Sequence, residues 1–246
     1  MPCSTCPNTR TSPRLGVSKP AATLSKVDLP QPVGPTGCGK STLLNVAAGL
    51  LTPSRGEVKV FGQALQGINA RAGYMFQTEA LMPWRNALDN VLLGLQYHHT
   101  EAQAGLQLAM DWLSRVGLSG FEDRYPHQLS GGMRKRVALA QTLVLDPDII
   151  LMDEPFSALD IQTRQLMETE VLELWSRKKK AVLFITHDLR VAAQVCDDVV
   201  VMSKGRVVEY GSATQVFGAP SHAYTQALFE AAPGKGFEFG QGLAAA

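Results

Sequence analysis

An α/β fold, a parallel sheet with helices on its faces, is predicted by three features of the sequence. Two short runs, "DIILMDEP" and "AVLFITHD", are almost continuously apolar, as strands are when both faces of a sheet are covered. Around them lie stretches with helical spacing of apolar residues, so strands and helices alternate along the chain. A glycine-rich turn, "GPTGCGKS", opens directly into one of those helices.

Residues 1–33 stand apart from this pattern. They contain six prolines, much Ser and Thr, and no Phe, Tyr or Trp; the first aromatic residue of the chain is Phe61. Such a segment has little with which to pack a core and reads as a poorly ordered, atypical N-terminal piece. From Gly34 onward the elements follow in order. "KSTLLNVAAGLL" has helical spacing, and "PSRGEVKVFG" gives a turn and then the alternation of Val58 and Val60 in a short strand. "AGYMFQ" is another short strand. "NALDNVLLGLQ" and "EAQAGLQLAMDWLSRVGL" read as helices, the first capped by Asn86 with Asp89 three residues on. "SGGMRKRVALAQTLVLD" is a further helix. "DDVVVMSKGRVVEYG" is a strand hairpin turning at Lys204-Gly205, a small antiparallel part. The basic run 177–180 reads as a solvated helix end, and residues 219–246 as a C-terminal tail.

The chain has 246 residues, which suits one α/β domain with a small subdomain. With 45% apolar and 18% charged residues it is globular in composition, and its formal net charge of +1 gives no sign of a general nucleic-acid binder. No apolar run approaches the roughly 20 residues of a membrane helix, and the N-terminus lacks the apolar core of a secretory signal. A cytosolic protein able to dock on a membrane partner is expected. Cys3 and Cys6 form a lone CxxC with no second ligand pair, which reads as two free thiols rather than a zinc site.

The chemistry sits in three places. "GPTGCGKS", residues 34–41, fits the phosphate-binding pattern G-x-x-x-x-G-K-[ST]. Gly34, Gly37 and Gly39 let backbone N–H groups turn inward around phosphate oxygens, and the helix that follows points its positive end at them. Lys40 supplies a charge for the β and γ phosphates, and Ser41 a hydroxyl for Mg²⁺. That pattern alone says NTPase or kinase. In "IILMDEP" an apolar strand ends in two adjacent carboxylates. Successive strand residues point to opposite sides, so Asp153 and Glu154 take different tasks. Asp153 suits a Mg²⁺ shell, and Glu154 a general base for an attacking water. In "QLSGGMRKR" a serine and two glycines, Ser130, Gly131 and Gly132, open a second helix with free N–H groups, a second anion site. Two such starts serve one γ-phosphate if two copies face each other head to tail.

The order of these motifs, with Gln77, "SALD" and "THD" between and after them, resembles the ATP-binding cassette (ABC) ATPase subunits of membrane transporters. The resemblance runs over about residues 34–218. It implies a P-loop NTPase with a parallel-sheet core, a helical subdomain at about 78–145, a small antiparallel β part, and ATP and Mg²⁺ as ligands. It implies that Gly34, Pro35, Thr36, Gly37, Cys38, Gly39, Lys40, Ser41 and Thr42 form the Walker A loop. Gln77 becomes the Q-loop glutamine, touching Mg²⁺ and water, and Ser130, Gly131 and Gly132 belong to the signature motif, with Met133 where many members have Gln. Asp153 becomes the Walker B aspartate, Glu154 the catalytic glutamate, residues 157–160 the D-loop and His187 the switch histidine on the γ-phosphate. The stretch "EALMPWRNALDNVLLGL" resembles cassettes of the nitrate, sulfonate, taurine and bicarbonate importers. Trp84 and Met82 there suit docking of a permease; Trp84 packed inside the helical subdomain is the other reading. The implied partners are a second cassette, a transmembrane permease and, indirectly, a solute-binding protein, with the chain peripheral on the inner face of the membrane and no nucleic acid bound.

Residues 1–33 depart from that family. They hold no aromatic residue to stack on adenine, and Pro30 and Pro32 fall where a central strand is expected. A proline there removes a ladder donor, at a cost of about 3 kcal/mol or more. The abrupt change at Gly34 reads as a start foreign to the cassette, from a misassigned start, a frame change or a truncated gene. Two alternatives follow. One is a catalytically impaired cassette serving as a binding or assembly module, favoured by the N-terminus and opposed by Glu154, His187 and Ser130. The other is a DNA-maintenance ABC ATPase, opposed because Lys40 and Ser130 are 90 residues apart with no heptads between them.

Overall fold

The computed structural model describes residues 39–156, 159, 162, 164, 165, 167–169, 180–186, 189, 192, 193 and 196–231. The first helix, α1 (Lys40–Ala47), follows the glycine turn, and a two-stranded antiparallel ribbon, β1 (Lys59–Val60) with β2 (Gln63–Ala64), comes next. Then come β3 (Ala72–Met75), α2 (Ala87–Tyr97), α3 (Ala102–Arg115), α4 (Gly131–Leu143), β4 (Ile149–Asp153) and β5 (Ala181–Ile185). The described chain ends in the hairpin β6 (Asp198–Ser203) and β7 (Arg206–Ser212), then α5 (Ala213–Gly218) and α6 (Ala223–Ala231).

The strands β3, β4 and β5 lie side by side in that order, all parallel, with Met75 opposite Met152 and Asp153 opposite Ile185. The side-chain period of two divides β4 cleanly. Ile149 and Leu151 face α1, where they pack with Leu44, Ala48, Leu183 and Ile185. Ile150 and Met152 face the other way and join the larger core built by α2, α3 and α4, with Val91, Leu113, Val137 and Leu139 fully buried. Coverage of both faces explains why β4 is apolar at every position before its acidic end.

Local chemistry agrees with the elements. Asn86 caps α2, its Oδ1 accepting from the Asp89 N–H at 2.7 Å. The β6–β7 hairpin turns at Lys204 and Gly205, both with positive φ (47° and 76°), as a tight two-residue turn requires. Residues 219–231, expected as part of a tail, carry α6. Its Phe229 stacks on Phe217 of α5 with ring centroids 5.1 Å apart. One expectation is corrected: Lys180, the last residue of the basic run, is not solvated. Its side chain is 12% exposed and its ammonium meets the Asp146 carbonyl at 3.0 Å and the Asp146 carboxylate at 3.3 Å. Residues 177–179 lie outside the described residues.

Candidate active site

The phosphate-loop helix is anchored at its C-terminal end. Gly39 precedes it in the left-handed region (φ 89°), with no side-chain cap and no acidic residue in the first turn. Among the described residues no side chain caps the positive end of α1, as an anion site requires. Ser41 is exposed there, with Lys40 and Thr42 half-buried. The far end is closed by a Schellman motif, in which Leu50 N–H bonds to Asn45 O at 2.9 Å and Gly49 N–H to Val46 O at 3.1 Å. Asn69 completes it: its backbone N–H donates to Ala48 O at 2.9 Å and its side-chain amide to Ala47 O at 3.2 Å. Gly34, Pro35, Thr36, Gly37 and Cys38 lie outside the described residues.

Strand parity puts Asp153 on the α1 side of the sheet, with Ile149 and Leu151. It is 6% exposed, and its carboxylate makes no hydrogen bond or ion pair among the described residues. Tyr74, on the same face of β3, donates its hydroxyl to Asn45 Oδ1 of α1 at 3.0 Å. Burial, and then the charge of Asp153, push the Tyr74 phenol up to about 12, so it stays a neutral donor. A buried carboxylate on the face that α1 covers, without a hydrogen-bond partner among the described residues, is a hard oxygen ligand, and it fits Mg²⁺.

Glu154 separates from Asp153 by a different route from simple strand alternation. The strand ends at Asp153, and Glu154 takes a left-handed conformation, φ 50°. For a non-glycine residue that costs about 1–2 kcal/mol. The turn brings its carboxylate to Gln77, whose Nε2 donates to Oε2 at 3.1 Å. The side chains of the two acids part here, with the backbone turn at Glu154 as the cause.

Ser130 caps α4 (φ −66°, ψ 164°), its Oγ accepting from the Met133 N–H at 3.2 Å. Ser130 and Gly131 are exposed. The helix packs with α2 and α3 on the sheet face opposite α1. Thus Gln77 and Glu154 are bonded to each other, Asp153 precedes Glu154 with its side chain on the α1 side, and the signature helix stands across the sheet. His187 lies outside the described residues, as do Ser157, Ala158 and Asp160 of the 157–160 stretch. Three further residues, Asn45, Tyr74 and Lys135, hold this arrangement and were not singled out in the sequence. Lys135 had a signal: with Ala138, Leu139 and Thr142 it forms an inward stripe at spacing i, i+3, i+4 and i+7, an odd place for a cation.

Residues 22–157 match the family model described as ABC transporter. This chain belongs to that family. The match begins ahead of Gly34, within the segment whose composition is atypical. The cassette is 48% identical over 179 residues to the ABC transporter ATP-binding protein MJ0412 of Methanocaldococcus jannaschii, covering 72% of this chain and 67% of that one. It is 45% identical over 189 residues to the taurine import ATP-binding protein TauB of Escherichia coli (strain K12), covering 76% and 74%. Among solved structures it resembles the dimeric post-hydrolysis state of the ATP-binding cassette MJ0796 bound to ADP and Pi. The TM-score is 0.66 at 31% identity, over 73% of this chain and 83% of that one. The fold is accordingly that of a P-loop NTPase cassette, and the chain is an ABC-type ATPase. Among the described residues no helix is long and apolar enough to cross a membrane.

Proposed function

We propose that this cassette hydrolyses MgATP to energise import of a solute of the nitrate, sulfonate or taurine kind through a separate membrane permease. The carrying observation is the bond between Gln77 and Glu154 at the end of the sheet, with Asp153 next to Glu154 on the face that α1 covers. Lys40, the loop from Gly34 to Gly39 and the first N–H groups of α1, at Ser41 and Thr42, hold the β and γ phosphates. Ser41, Asp153 and the Gln77 carbonyl oxygen supply ligands for Mg²⁺, which when bound neutralises charge on the phosphate oxygens. Glu154 accepts a proton from the attacking water as the new oxygen–phosphorus bond forms. The bond to the bridging oxygen breaks and ADP leaves. His187 steadies the γ-phosphate. Ser130, Gly131 and Gly132 of a second copy complete the site, which makes the working unit a dimer of cassettes.

The permease reading rests on Trp84. It is 72% exposed, so it does not pack inside the helical subdomain. Its loop is pinned by Asn90, as a rigid docking surface requires. The cassette would then work on the cytoplasmic face of the membrane, meeting the external solute-binding protein only through the permease. The similarity to the TauB protein supports a sulfonate-like solute. ATP turnover by the purified chain tests the core of this reading. Glu154→Gln is expected to lower turnover about 100-fold or more while ATP binding persists. Turnover that survives the substitution would remove Glu154 from its role.

A further inference from the structure

Glu154 is held in a strained conformation, and the structure shows what holds it. Its φ of 50° lies in a region that non-glycine residues avoid, and Pro155 follows, which favours extended backbone before it. Such a conformation persists only where the surroundings over-determine it. Here three elements do so. The Glu154 N–H donates to Ile185 O at the end of β5, 3.0 Å away. The Gln77 amide beyond β3 donates to the Glu154 carboxylate at 3.1 Å. The Lys135 ammonium of α4 donates to the Glu154 carbonyl at 3.3 Å.

Lys135 is an expensive residue in its place. It is 7% exposed, on the inward stripe of α4, where an apolar side chain would pack without desolvating a charge. Burial draws its ammonium pKa down, and the negative charges of Glu79 and Glu154 push it back up. Glu79 is itself paired to Arg134 of the same helix, Nε to Oε2 at 3.8 Å. The Glu154 backbone is thus tied to α4 through the Lys135 ammonium. Ser130 caps that helix five positions earlier, about 7.5 Å along its axis.

We propose that Lys135 is a positioning residue for hydrolysis: it clamps the Glu154 carbonyl so that the Glu154 carboxylate stays on Gln77, and it ties that base to the start of the signature helix. The inference rests on the reading of Glu154 as the base.

Steady-state ATP turnover by the full chain tests this. Lys135→Met keeps length and apolar bulk and removes the donor. It is expected to lower kcat at least tenfold with KM for ATP within about twofold. Lys135→Arg, which restores a donor and a charge, is expected to recover most of that loss. In a Glu154→Gln background Lys135→Met should change nothing further, since the base it positions is gone. Backbone hydrogen exchange over residues 152–156 should speed up in Lys135→Met, independently of turnover. If the Met variant does not fold, Lys135→Gln replaces it; its amide stops one bond short of the carbonyl, and the same fall in kcat is expected. Wild-type turnover that Glu154→Gln abolishes but Lys135→Met leaves intact overturns the clamp alone. A loss that Arg does not recover overturns it too, as plain structural damage. Turnover that survives Glu154→Gln overturns the functional reading and the clamp with it.

Discussion

Gly49 decides where the phosphate-loop helix stops. Its φ is +72°, and a Cβ built there would lie 1.8 Å from the Gly67 carbonyl oxygen. Both backbone conformation and space therefore demand glycine. Gly49→Ala is expected to destabilise the fold by roughly 3 kcal/mol, from left-handed strain and the enforced retreat of the Gly67 strand of chain. Urea unfolding followed by circular dichroism measures it; a midpoint within error of wild type would show that the α1 terminus adapts freely. The residue is legible in the sequence only as the glycine in "AAGL" after a helical run. That it abuts Gly67 is a tertiary fact, since nothing local in "LQGIN" points back to α1.

Among the elements, the 82–86 loop and the start of α6 each lean on a polar side chain. Asn90 is fully buried in α2 and serves the loop in four bonds. Its Oδ1 accepts from the Met82 N–H at 2.7 Å, and its Nδ2 lies within 3.2 Å of the carbonyls of Met82, Arg85 and Asn86. Asn90→Leu leaves the Met82 N–H and the Arg85 carbonyl without their partner, an expected loss of about 2–4 kcal/mol. Asn90→Asp should be no better above the carboxylate range, because it sets a charge against three carbonyl oxygens. Amide exchange at Met82, slow in the wild type and fast in Asn90→Leu, is the local readout. At the other end, Glu209 of β7 accepts from Ser221 N–H at 2.7 Å, Ser221 Oγ at 2.9 Å and His222 N–H at 3.2 Å, at the start of α6. The nearby Thr225 hydroxyl, which falls short of hydrogen-bond geometry, and these donors hold the Glu209 carboxyl down at about 2, against 4.5 for the free side chain. A depressed folded-state pKa means the contribution is whole above about pH 4.5 and is lost as pH falls through about 2. Thermal melts of wild type and Glu209→Gln should differ at pH 7 and converge toward pH 2. A constant gap would mean that the charge plays no part.

At the scale of the molecule, the layered architecture was legible because burial on both faces writes β4 and β5 as apolar runs, while caps such as Asn86 and Ser130 mark the helix starts. Motif order singled out Asp153, Glu154 and Gln77, and the structure bonds the last two to each other. Lys135 and the Tyr74–Asn45 bond were not legible, because each depends on which face of the sheet an element occupies, and "MRKRV" reads as a surface charge run until α4 is seated. The same seating carries the last prediction. The starts of α1 and α4 belong to helices on opposite faces of the sheet, so one chain offers Lys40 and Ser130 to different places. If two copies share each nucleotide head to tail, Lys40→Ala and Ser130→Arg damage the two halves of a composite site. Each variant alone should be inactive. Mixed, the mutant dimers pair the intact Lys40 of one chain with the intact Ser130 of the other, and random exchange leaves about a quarter of all sites whole. Turnover should therefore return on mixing, rising as the two chains approach equal amounts. A mixture as inactive as its components would mean that Lys40 and Ser130 serve the same nucleotide within one chain, and the head-to-tail dimer would have to be given up.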